Sequence, residues 1–245
     1  MVEPVAARDL GPDRRLVGVS VIVPTWNEAK YLPGLFDSLR NQTLAPREIL
    51  VADSGSTDGT AEVAQAAGAI VLEGERRGPG EGRNHGAREA QGDILLFIDA
   101  DCIAPPNLVE AVATALDDPQ VIGGATGFTP AGGNPAERIL FALANGYQRA
   151  MTLWGFPHNA GYCFFFRRDA FRALKGLRED MPLNETHDLA LRSRSLGRFE
   201  ILPIAVTTSM RRFRTYGYAR TVLREYVAST LLYYATGRTS AERFH

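Results

Sequence analysis

The sequence predicts an α/β fold: a doubly wound, mainly parallel sheet flanked by helices, within a single domain. The first observation is that strand and helix patterns alternate from Val17 to about residue 105. The second is Ile94–Ile98, a run of five apolar residues that is typical of a strand covered on both faces. A length of 245 residues, 45% of them hydrophobic, is enough for one large core. Chains with this alternation form parallel sheets, because each helix returns the chain to begin the next strand.

Strands in the first half are indicated by β-branched and apolar runs, the first of them closed by Pro24. These predicted strands are Val17–Val23, Glu48–Ala52, Ala69–Leu72 and Ile94–Ile98. The helices between them are indicated by apolar residues at helical spacing and by turn-rich starts. They are predicted over Glu28–Leu39, Ala61–Ala67 and Asn84–Ala90, with a glycine-rich loop at Gly74–Gly82.

The second half mixes strand and helix patterns less regularly. Its predicted elements are a strand at Val121–Thr129, a helix at Ala136–Leu153, an aromatic strand at Gly161–Phe166, a helix at Leu189–Leu196 and a strand at Ile201–Ala205. The last of these contains Pro203, and proline removes a ladder hydrogen bond. We therefore expect it at the edge of the sheet.

Composition excludes several classes of protein. The net charge of −1 and the pI near 6.4 argue against a nucleic acid partner. Cys102 and Cys163 are too few for a disulfide framework, which fits a reducing cytoplasm. The sequence shows neither the pattern of a signal peptide nor an apolar run long enough to span a bilayer. We therefore expect a cytoplasmic protein that binds no nucleic acid.

Two aspartates, Asp99 and Asp101, directly follow the buried run Ile94–Ile98. Ionised carboxylates cannot continue into an apolar core, so both are expected at the carboxyl end of that strand. Open α/β sheets bind ligands at these strand ends, and two oxygen ligands one residue apart suit a hard divalent cation with a phosphorylated substrate. A pair of loop or capping aspartates is the alternative, and the neighbouring motifs decide between the two.

Four motifs occur in the order and spacing of one known family. They are VIVPTWNE at Val21–Glu28, ADSGSTDGT at Ala52–Thr60, GRNHGA at Gly82–Ala87 and DAD at Asp99–Asp101. Together they resemble an inverting family 2 glycosyltransferase of the GT-A fold, over roughly residues 17 to 200. The resemblance implies a UDP- or GDP-sugar donor, Mn²⁺ or Mg²⁺ as cofactor, and a glycan or lipid-linked acceptor.

The resemblance also implies a division of the chain. Residues 1–16 are expected to be an N-terminal extension. Residues 17–210 are expected to form the glycosyltransferase domain, with a nucleotide-binding half at 17–104 and an acceptor half at 105–210. The remaining residues, 211–245, contain seven Arg, two Glu and no Lys, and we expect a basic amphipathic helical tail there.

Donor-binding candidates lie at the ends of the first two predicted strands. Pro24, Thr25 and Glu28 lie where a strand gives way to a helix, a place where backbone N–H groups and a carboxylate can meet a nucleotide. Asn27 beside them is either a ligand or a helix cap. Asp53 ends the second strand and can accept a hydrogen bond from a base, which the resemblance identifies as uracil or guanine.

The remaining candidates for the donor side come from the third and fourth motifs. Arg83 offers a planar cation for phosphate, and the resemblance implies that it lies beside the nucleotide, with Asn84 as a further candidate. The resemblance also assigns Asp101 to the metal, directly or through water, and Asp99 to the metal or the ribose. A divalent cation there would neutralise the charge that develops on the diphosphate leaving group.

A base is needed to deprotonate an acceptor hydroxyl. The segment Asn184–Arg192 is similar to the family's acidic Glu-Asp segment, but Thr186 stands where an Asp usually follows the Glu. Glu185 and Asp188 are three residues apart on one predicted helix face, so either can serve as the base, and Asp188 is preferred. The alternative is that both acids only stabilise a helix N-terminus. Gly161 is expected to let the backbone approach the donor sugar.

The tail has an apolar stripe interleaved with arginine and tyrosine, formed by Val222, Leu223, Tyr226, Val227 and Leu231. Such a helix suits a lipid surface or docking on the domain, and peripheral contact of residues 211–235 with the inner face of the plasma membrane is one expectation. Two other functions stay open. One is transfer to a polyprenyl phosphate, which needs no base. The other is a catalytically silent protein that binds nucleotide sugars.

Overall fold

A twisted sheet with helices on both faces forms the centre of the molecule, for which a computed structural model describes residues 18–181, 183–218, 221 and 228–236. Its strands are Val19–Thr25 (β1), Glu48–Asp53 (β2), Ile70–Glu73 (β3), Ile94–Ile98 (β4), Cys102–Ile103 (β5), Val121–Pro130 (β6), Cys163–Arg167 (β7) and Arg198–Thr208 (β8). They lie in the order β3-β2-β1-β4-β7-β6-β8-β5.

Helices connect and cover these strands. Within the described residues they are Leu32–Arg40 (α1), Thr60–Ala66 (α2), Pro79–Glu89 (α3), Leu108–Ala115 (α4), Pro135–Leu153 (α5), Arg168–Ala173 (α6), Glu185–Ser193 (α7), Arg211–Tyr216 (α8) and Ser229–Thr236 (α9). Strands β3, β2, β1 and β4 run parallel, and β6 runs parallel to β8. Strand β7 is antiparallel to both of its neighbours, β4 and β6. The predicted α/β fold with a mainly parallel sheet is confirmed.

Strand β4 shows why the sheet must be covered on both faces. All five of its residues are 1% exposed or less. Ile94, Leu96 and Ile98 pack into one hydrophobic core with α1 and α4, whereas Leu95 and Phe97 pack into a second core with β7 and α7. The alternation follows from the strand geometry, in which successive side chains point to opposite faces. The polar residues that follow Ile98 therefore emerge where both cores end.

Two boundaries in the first motif differ from the prediction. Pro24 does not close the first strand, because β1 continues to Thr25 and pairs with β2 there. The proline is tolerated because β1 pairs with β4 only as far as Ile22. The first helix begins at Leu32 instead of Glu28, since Asn27 has a positive φ of 56° and a turn follows it.

The predicted loop Gly74–Gly82 is wrong in its second part, because α3 begins at Pro79. The glycines in this segment permit close packing: a Cβ at Gly82 would lie 3.5 Å from Cβ of Pro24, and one at Gly86 would lie 2.4 Å from Cγ2 of Ile22. A glycine-rich sequence is typical of a flexible loop, but it also occurs in a helix that packs closely on a sheet, and the two cannot be told apart here.

In the second half, α7 begins at Glu185, four residues before the predicted start at Leu189. Strand β8 is longer than the predicted Ile201–Ala205, and Pro203 lies at a register shift between β6 and β8. The predicted edge position of this strand is wrong, because the two-residue β5 lies beyond β8 at this side of the sheet and pairs with its last residues. Helices α4 and α6 have no predicted counterpart, because eight and six residues are too few for a helical repeat to stand out.

Part of the predicted tail lies outside the described residues. This applies to the stripe residues Val222, Leu223, Tyr226 and Val227, and at the other end of the chain to the predicted extension 1–16. The described part of the tail forms α8 and α9. Among the helices that the structure describes, none combines the length and apolarity needed to cross a bilayer.

We expect Gly86→Ala to lower the free energy of unfolding by about 1–3 kcal/mol, because the added methyl group would overpack the contact between α3 and Ile22. Urea denaturation measures the change. Gly146→Ala in α5 is the matched control, since no described atom lies within 4 Å of that Cβ position. This control should gain up to about 1 kcal/mol. Equal stabilities of the two variants would contradict the packing argument.

Candidate active site

The guanidinium of Arg83, on α3, connects both halves of the domain. It donates to Asp99 Oδ1 at 2.7 Å, to Glu185 Oε1 at 2.9 Å and to the carbonyl oxygen of Gly161 at 3.3 Å. Asp99 follows β4, Gly161 precedes β7 and Glu185 is the first residue of α7. The sequence proposed all four residues for the site, and the structure brings them together around one cation.

This cation is deeply buried. Arg83 is 4% exposed, and its side chain lies 5.6 Å from the ring centroid of Phe164. Glu185 is 6% exposed, and its burial raises its pKa above the ordinary value despite the opposing effect of Arg83. Within the described residues, Nε of Arg83 has no hydrogen-bond partner. A buried guanidinium with an unused donor is suited to hold an anionic or polar group of a ligand.

A second cation, Arg211 at the start of α8, contacts the other two carboxylates of the site. Its Nη1 donates to Glu28 at 2.8 Å, its Nη2 also pairs with Glu28, and its Nε lies 3.0 Å from Asp101 Oδ2. The guanidinium also lies 4.6 Å from the ring centroid of Tyr31. Residues 183 positions apart in the chain thereby meet at the carboxyl ends of β1 and β4.

Burial also governs the protonation of these acids. Desolvation, followed by the repulsion from Asp99, raises the pKa of Asp101 to about 6, although Arg211 opposes the shift. Desolvation likewise raises the pKa of Glu28, against the hydrogen bond and charge of Arg211. The site therefore holds more negative charge than its two arginines neutralise. An added cation would find favourable potential here.

The ends of β1 and β2 form the third part of the site. Thr25 Oγ1 donates to Asp53 Oδ1 at 2.9 Å, and Ser56 donates from its backbone N–H to Asp53 Oδ2 at 2.9 Å. Asp53 is 5% exposed and is held rigidly by these bonds. Beside it, Trp26 is 41% exposed, and the guanidinium carbon of Arg76 lies 3.5 Å from its ring centroid. The flat, half-open indole and its arginine make a surface on which a planar group can stack.

Two predicted donor-side residues, Pro24 and Asn84, hold neighbouring elements of the site in place. Pro24 lies under Gly82 of α3, so it shapes the junction between the strand and this helix. Asn84 is 7% exposed; its amide donates to the carbonyl of Leu177 at 2.8 Å and to Glu179 at 2.9 Å, and its oxygen accepts from the Leu177 N–H at 2.9 Å. Asn84 therefore holds the chain before α7 in place.

The two candidate bases have different surroundings. Glu185 and Asp99 both accept hydrogen bonds from the guanidinium of Arg83. Asp188 is one turn farther along α7, where Oδ2 accepts from Arg192 at 2.6 Å and Oδ1 accepts from the Tyr233 hydroxyl at 3.0 Å. Asp188 thus connects α7 to α9 of the tail. Of the two carboxylates, Glu185 is the one that is linked to Asp99 through Arg83.

Thr186 faces the segment that precedes β7. Its hydroxyl donates to the Asn159 carbonyl at 3.3 Å and lies 3.3 Å from the position of a Cβ at Gly161. Gly161 has φ of +89°, a conformation that favours glycine, and its N–H donates to Asn159 Oδ1. Within the described residues, the buried Nδ2 of Asn159 has no partner. Backbone and amide groups of this segment therefore lie beside Asp99, whose N–H donates to the Tyr162 carbonyl at 3.0 Å.

The residues at the ends of β1 and β4 fit a divalent cation that is shared with a ligand. The part of the chain that the structure describes contains no group of three or more His, Cys, Asp or Glu side chains arranged for a metal ion. Mg²⁺ and Mn²⁺ are commonly bound by one or two carboxylates together with substrate phosphates and water. Asp99 and Asp101 supply such a pair; burial is the main cause of the raised pKa of Asp101, and the repulsion from Asp99, which adds to it, is what a cation would relieve.

Sequence reasoning missed Arg211 and Arg76 as members of the site. Arg211 was included only in a basic tail, and no local pattern places it beside residues of the first motif. Arg76 lies in the segment predicted as a loop. Trp26 was a usable signal for Arg76, because an aromatic residue next to a strand end indicates that a stacking partner lies nearby.

Comparison with known proteins gives a consistent result. The family model described as "Glycosyl transferase family 2" matches residues 20–175. Glycosyltransferase AglE of Haloferax volcanii is 36% identical over 131 residues, which are 49% of this chain and 43% of AglE. Poly(ribitol-phosphate) beta-N-acetylglucosaminyltransferase TarS of Staphylococcus aureus is 33% identical over 107 residues, or 40% of this chain and 19% of TarS. The matched region spans less than half the length of each of these relatives.

Solved structures show the same fold. The mannosyltransferase PcManGT from Pyrobaculum calidifontis, in complex with GDP-Man and Mn²⁺, has a TM-score of 0.65 and 25% identity, covering 94% of this chain and 67% of PcManGT. Residues 1–349 of S. aureus TarS, in complex with UDP, have a TM-score of 0.63 and 20% identity, covering 79% of this chain and 60% of the TarS chain. The predicted GT-A architecture is thereby confirmed.

We expect Asp101→Asn to stabilise the metal-free protein above pH 7 by about 1–3 kcal/mol. The pKa of about 6 in the folded state exceeds the ordinary 3.8, so folding disfavours the charged form. The contribution of the wild-type acid is therefore present below about pH 4 and is lost as the pH rises through 6. Urea denaturation with a chelator at several pH values measures the difference.

The matched control for this variant is Asp37→Asn, whose carboxylate is 70% exposed and pairs with Arg40 on the surface of α1. It should change stability by no more than a few tenths of a kcal/mol at any pH. A stability difference for Asp101→Asn that is the same at pH 4 and pH 8 would contradict the assignment of the charge effect to Asp101.

Proposed function

The chain belongs to glycosyl transferase family 2, and from this membership we propose that it transfers a sugar from a nucleoside diphosphate donor to an acceptor hydroxyl. Residues at the carboxyl ends of β1, β2 and β4 would bind the donor. The observation that carries the proposal is the convergence of Asp99, Asp101 and Glu28 with Arg83 and Arg211 at one end of the sheet. Open α/β sheets bind their ligands there.

The donor's nucleoside would bind at the ends of β1 and β2. Asp53 is held with Thr25 at the bottom of this region, and Trp26 with Arg76 forms the half-open flat surface above it. We propose that the base, uracil or guanine, stacks on this surface and donates a hydrogen bond to Asp53. Pro24 would support this pocket from below.

The diphosphate would lie between the two arginines. Mn²⁺ or Mg²⁺, bound by Asp101 and Asp99, would supply the positive charge that stabilises the diphosphate leaving group. Arg83 holds Asp99 in position and has one donor to spare, and Asn84 fixes the segment that leads to α7. Arg211, which pairs with Glu28 and Asp101, is a cation that can turn from these carboxylates to the phosphates.

Acceptor activation is assigned to α7. Glu185 and Asp188 remain the candidate bases, and the geometry favours Glu185, because it reaches the site through Arg83 whereas Asp188 is held by Arg192 and Tyr233. Gly161, whose carbonyl accepts from Arg83, would let the backbone approach the donor sugar. A base on the side opposite the leaving group would give inversion by in-line displacement.

We also propose the division of the chain that the sequence suggests. Residues 17–104 would bind the nucleotide, residues 105–210 would bind the acceptor, and residues 211–245 would close the site through Arg211 and Tyr233. The pairing of these two residues with Glu28 and Asp188 supports this role for the described part of the tail.

One observation favours a second acceptor class. Both acids of α7 are buried and ion-paired, and Thr186 cannot take a proton. A polyprenyl phosphate has an oxygen that is already ionised, so transfer to it needs no base. This acceptor would place the enzyme at the inner face of the cytoplasmic membrane, with peripheral contact through residues 211–235 as a further proposal.

Donor binding is tested by thermal unfolding with UDP- and GDP-sugars, with and without Mn²⁺. We expect one nucleotide class with Mn²⁺ to raise the melting temperature by about 5–10 °C at a concentration near 100 Kd. Asp101→Asn should lose the Mn²⁺-dependent part of the shift, whereas Asp37→Asn should keep it. If no nucleotide sugar stabilises the protein, the donor proposal fails. If a donor binds but is neither hydrolysed nor transferred to any acceptor, the protein is a silent binder.

The base is tested with the isosteric variants Glu185→Gln and Asp188→Asn. If Glu185 is the base, its variant should lose about 10²- to 10⁴-fold in kcat for a hydroxyl acceptor while the donor Kd stays within a few-fold, because Gln can still accept from Arg83. Asp188→Asn should reduce kcat less and should weaken the docking of α9. The reverse order of effects would select Asp188. Full activity of both variants with a polyprenyl phosphate acceptor would select the second acceptor class.

A further inference from the structure

Helix α5 has an outer face that is apolar. Ile139, Leu143 and Tyr147 recur every four residues, and Leu153 and Trp154 end the helix on the same side. We call these five residues the α5 outer face. Four of them, at 62%, 68%, 85% and 75% exposure, are the most exposed large apolar side chains in the described chain. Their number and position on one face indicate a contact surface.

The inner face of α5 combines one core aromatic residue, Phe141, which is 3% exposed, with polar side chains that bond to the sheet. Asn145 bonds to the backbone of Phe128 in β6 at 3.0 and 2.8 Å. Gln148 is 1% exposed and donates to the Thr126 carbonyl at 3.1 Å. Since Phe141 and these polar side chains fix the helix to the sheet, the residues of the α5 outer face are not needed for the domain core. Their burial requires another body.

Space above the helix is open. Apart from the neighbouring residues and the nearby backbone of the helix itself, no described atom lies within 4 Å of the position that a Cβ would take at Gly146 or at Gly155. The outward positions between the large side chains are small, namely Ala136, Ala142 and Gly146. Small residues let a flat apolar medium approach the helix without steric hindrance.

The charge around the α5 outer face is positive. Arg138 and Arg149 are exposed on one flank, and each donates to a backbone carbonyl. Among the described residues, neither takes part in an ion pair, and the acid of this helix, Glu137, is 4% exposed and accepts from Tyr218. Apolar side chains with arginine at the flank and Trp or Tyr at the boundary are typical of helices that lie at an anionic lipid surface.

The α5 outer face is continuous with the acceptor side of the site. The ring of Tyr147 lies 5.1 Å from the ring of His158, which lies 4.4 Å from the ring of His187 in α7. Asn159 then accepts from Thr186 and from Gly161, next to Arg83. A body that covers the α5 outer face would therefore adjoin the path by which an acceptor reaches α7.

We propose that the α5 outer face docks on a bilayer that contains anionic lipid, with Leu153 and Trp154 inserted among the acyl chains and the arginines at the head groups. A second copy of the chain is disfavoured, because a two-fold interface would bring the arginine flanks of two helices together. The orientation of the active site toward a lipid-linked acceptor rests on the proposed function, whereas the docking itself does not.

Vesicle flotation tests the proposal with the whole chain. Vesicles of phosphatidylcholine, with and without phosphatidylglycerol, serve as the probe. We expect binding that is stronger with phosphatidylglycerol and that falls about tenfold or more in the double variant Leu143→Gln/Trp154→Gln. The matched control is Leu44→Gln/Ile70→Gln, which removes exposed apolar side chains of the loop between α1 and β2 and of β3, and which should bind as the wild type does.

The variants' melting temperatures and their response to donor show that the fold is intact. Equal binding of both double variants, or no binding of the wild-type chain to either vesicle, would overturn the proposal. A dimer in solution that Leu143→Gln/Trp154→Gln dissociates, without vesicle binding, would also overturn it and would identify a second copy as the occupant. Vesicle binding through α5 by a chain that transfers no sugar would leave the docking intact and would refute only the proposed function.

Discussion

The structure of the site depends on one buried ion network, that of Arg83. An arginine that is 4% exposed has to be compensated, because an unpaired charge in the core costs several kcal/mol. Its partners come from three places: Asp99 after β4, the Gly161 carbonyl before β7 and Glu185 at the start of α7. These elements cannot move apart without exposing the charge. The parts of the domain before and after residue 105 are therefore held in one geometry.

Sequence reasoning succeeded where local physics decides the outcome. Strand β4 and its aspartates were predicted because an apolar run must be buried and carboxylates must leave the core. The start of α3 was predicted wrongly, since glycines such as Gly82, which lets the helix lie against Pro24, give the same composition as a loop. The contact of Arg211 with Glu28 spans 183 positions, and it depends on where β8 ends relative to β1. No pattern within a short window carries that information.

The buried carboxylates at the carboxyl ends of β1 and β4 destabilise the folded protein when they are charged. Desolvation and mutual repulsion raise the pKa of Asp101, and the same desolvation raises that of Glu28. Arg211 offsets this only in part. Such an arrangement is unfavourable for folding and favourable for binding a cation together with an anionic ligand, because the bound ion removes the repulsion. The acids that weaken the free protein are the acids best suited to bind.

Two independent features of the second half point toward the same kind of acceptor. In α7, the acids are buried and ion-paired and Thr186 occupies the usual position of an acid, which favours an acceptor that arrives already ionised. In α5, four large apolar side chains that the core does not use face outward, which favours a lipid surface. A lipid phosphate would satisfy both, since its phosphate needs no base and its chains would stay in the bilayer on which we propose that α5 docks. The ring stack from Tyr147 through His158 to His187 joins the two features in space. A soluble sugar acceptor would leave the apolar α5 outer face unexplained and would require Glu185 or Asp188 to act as its base.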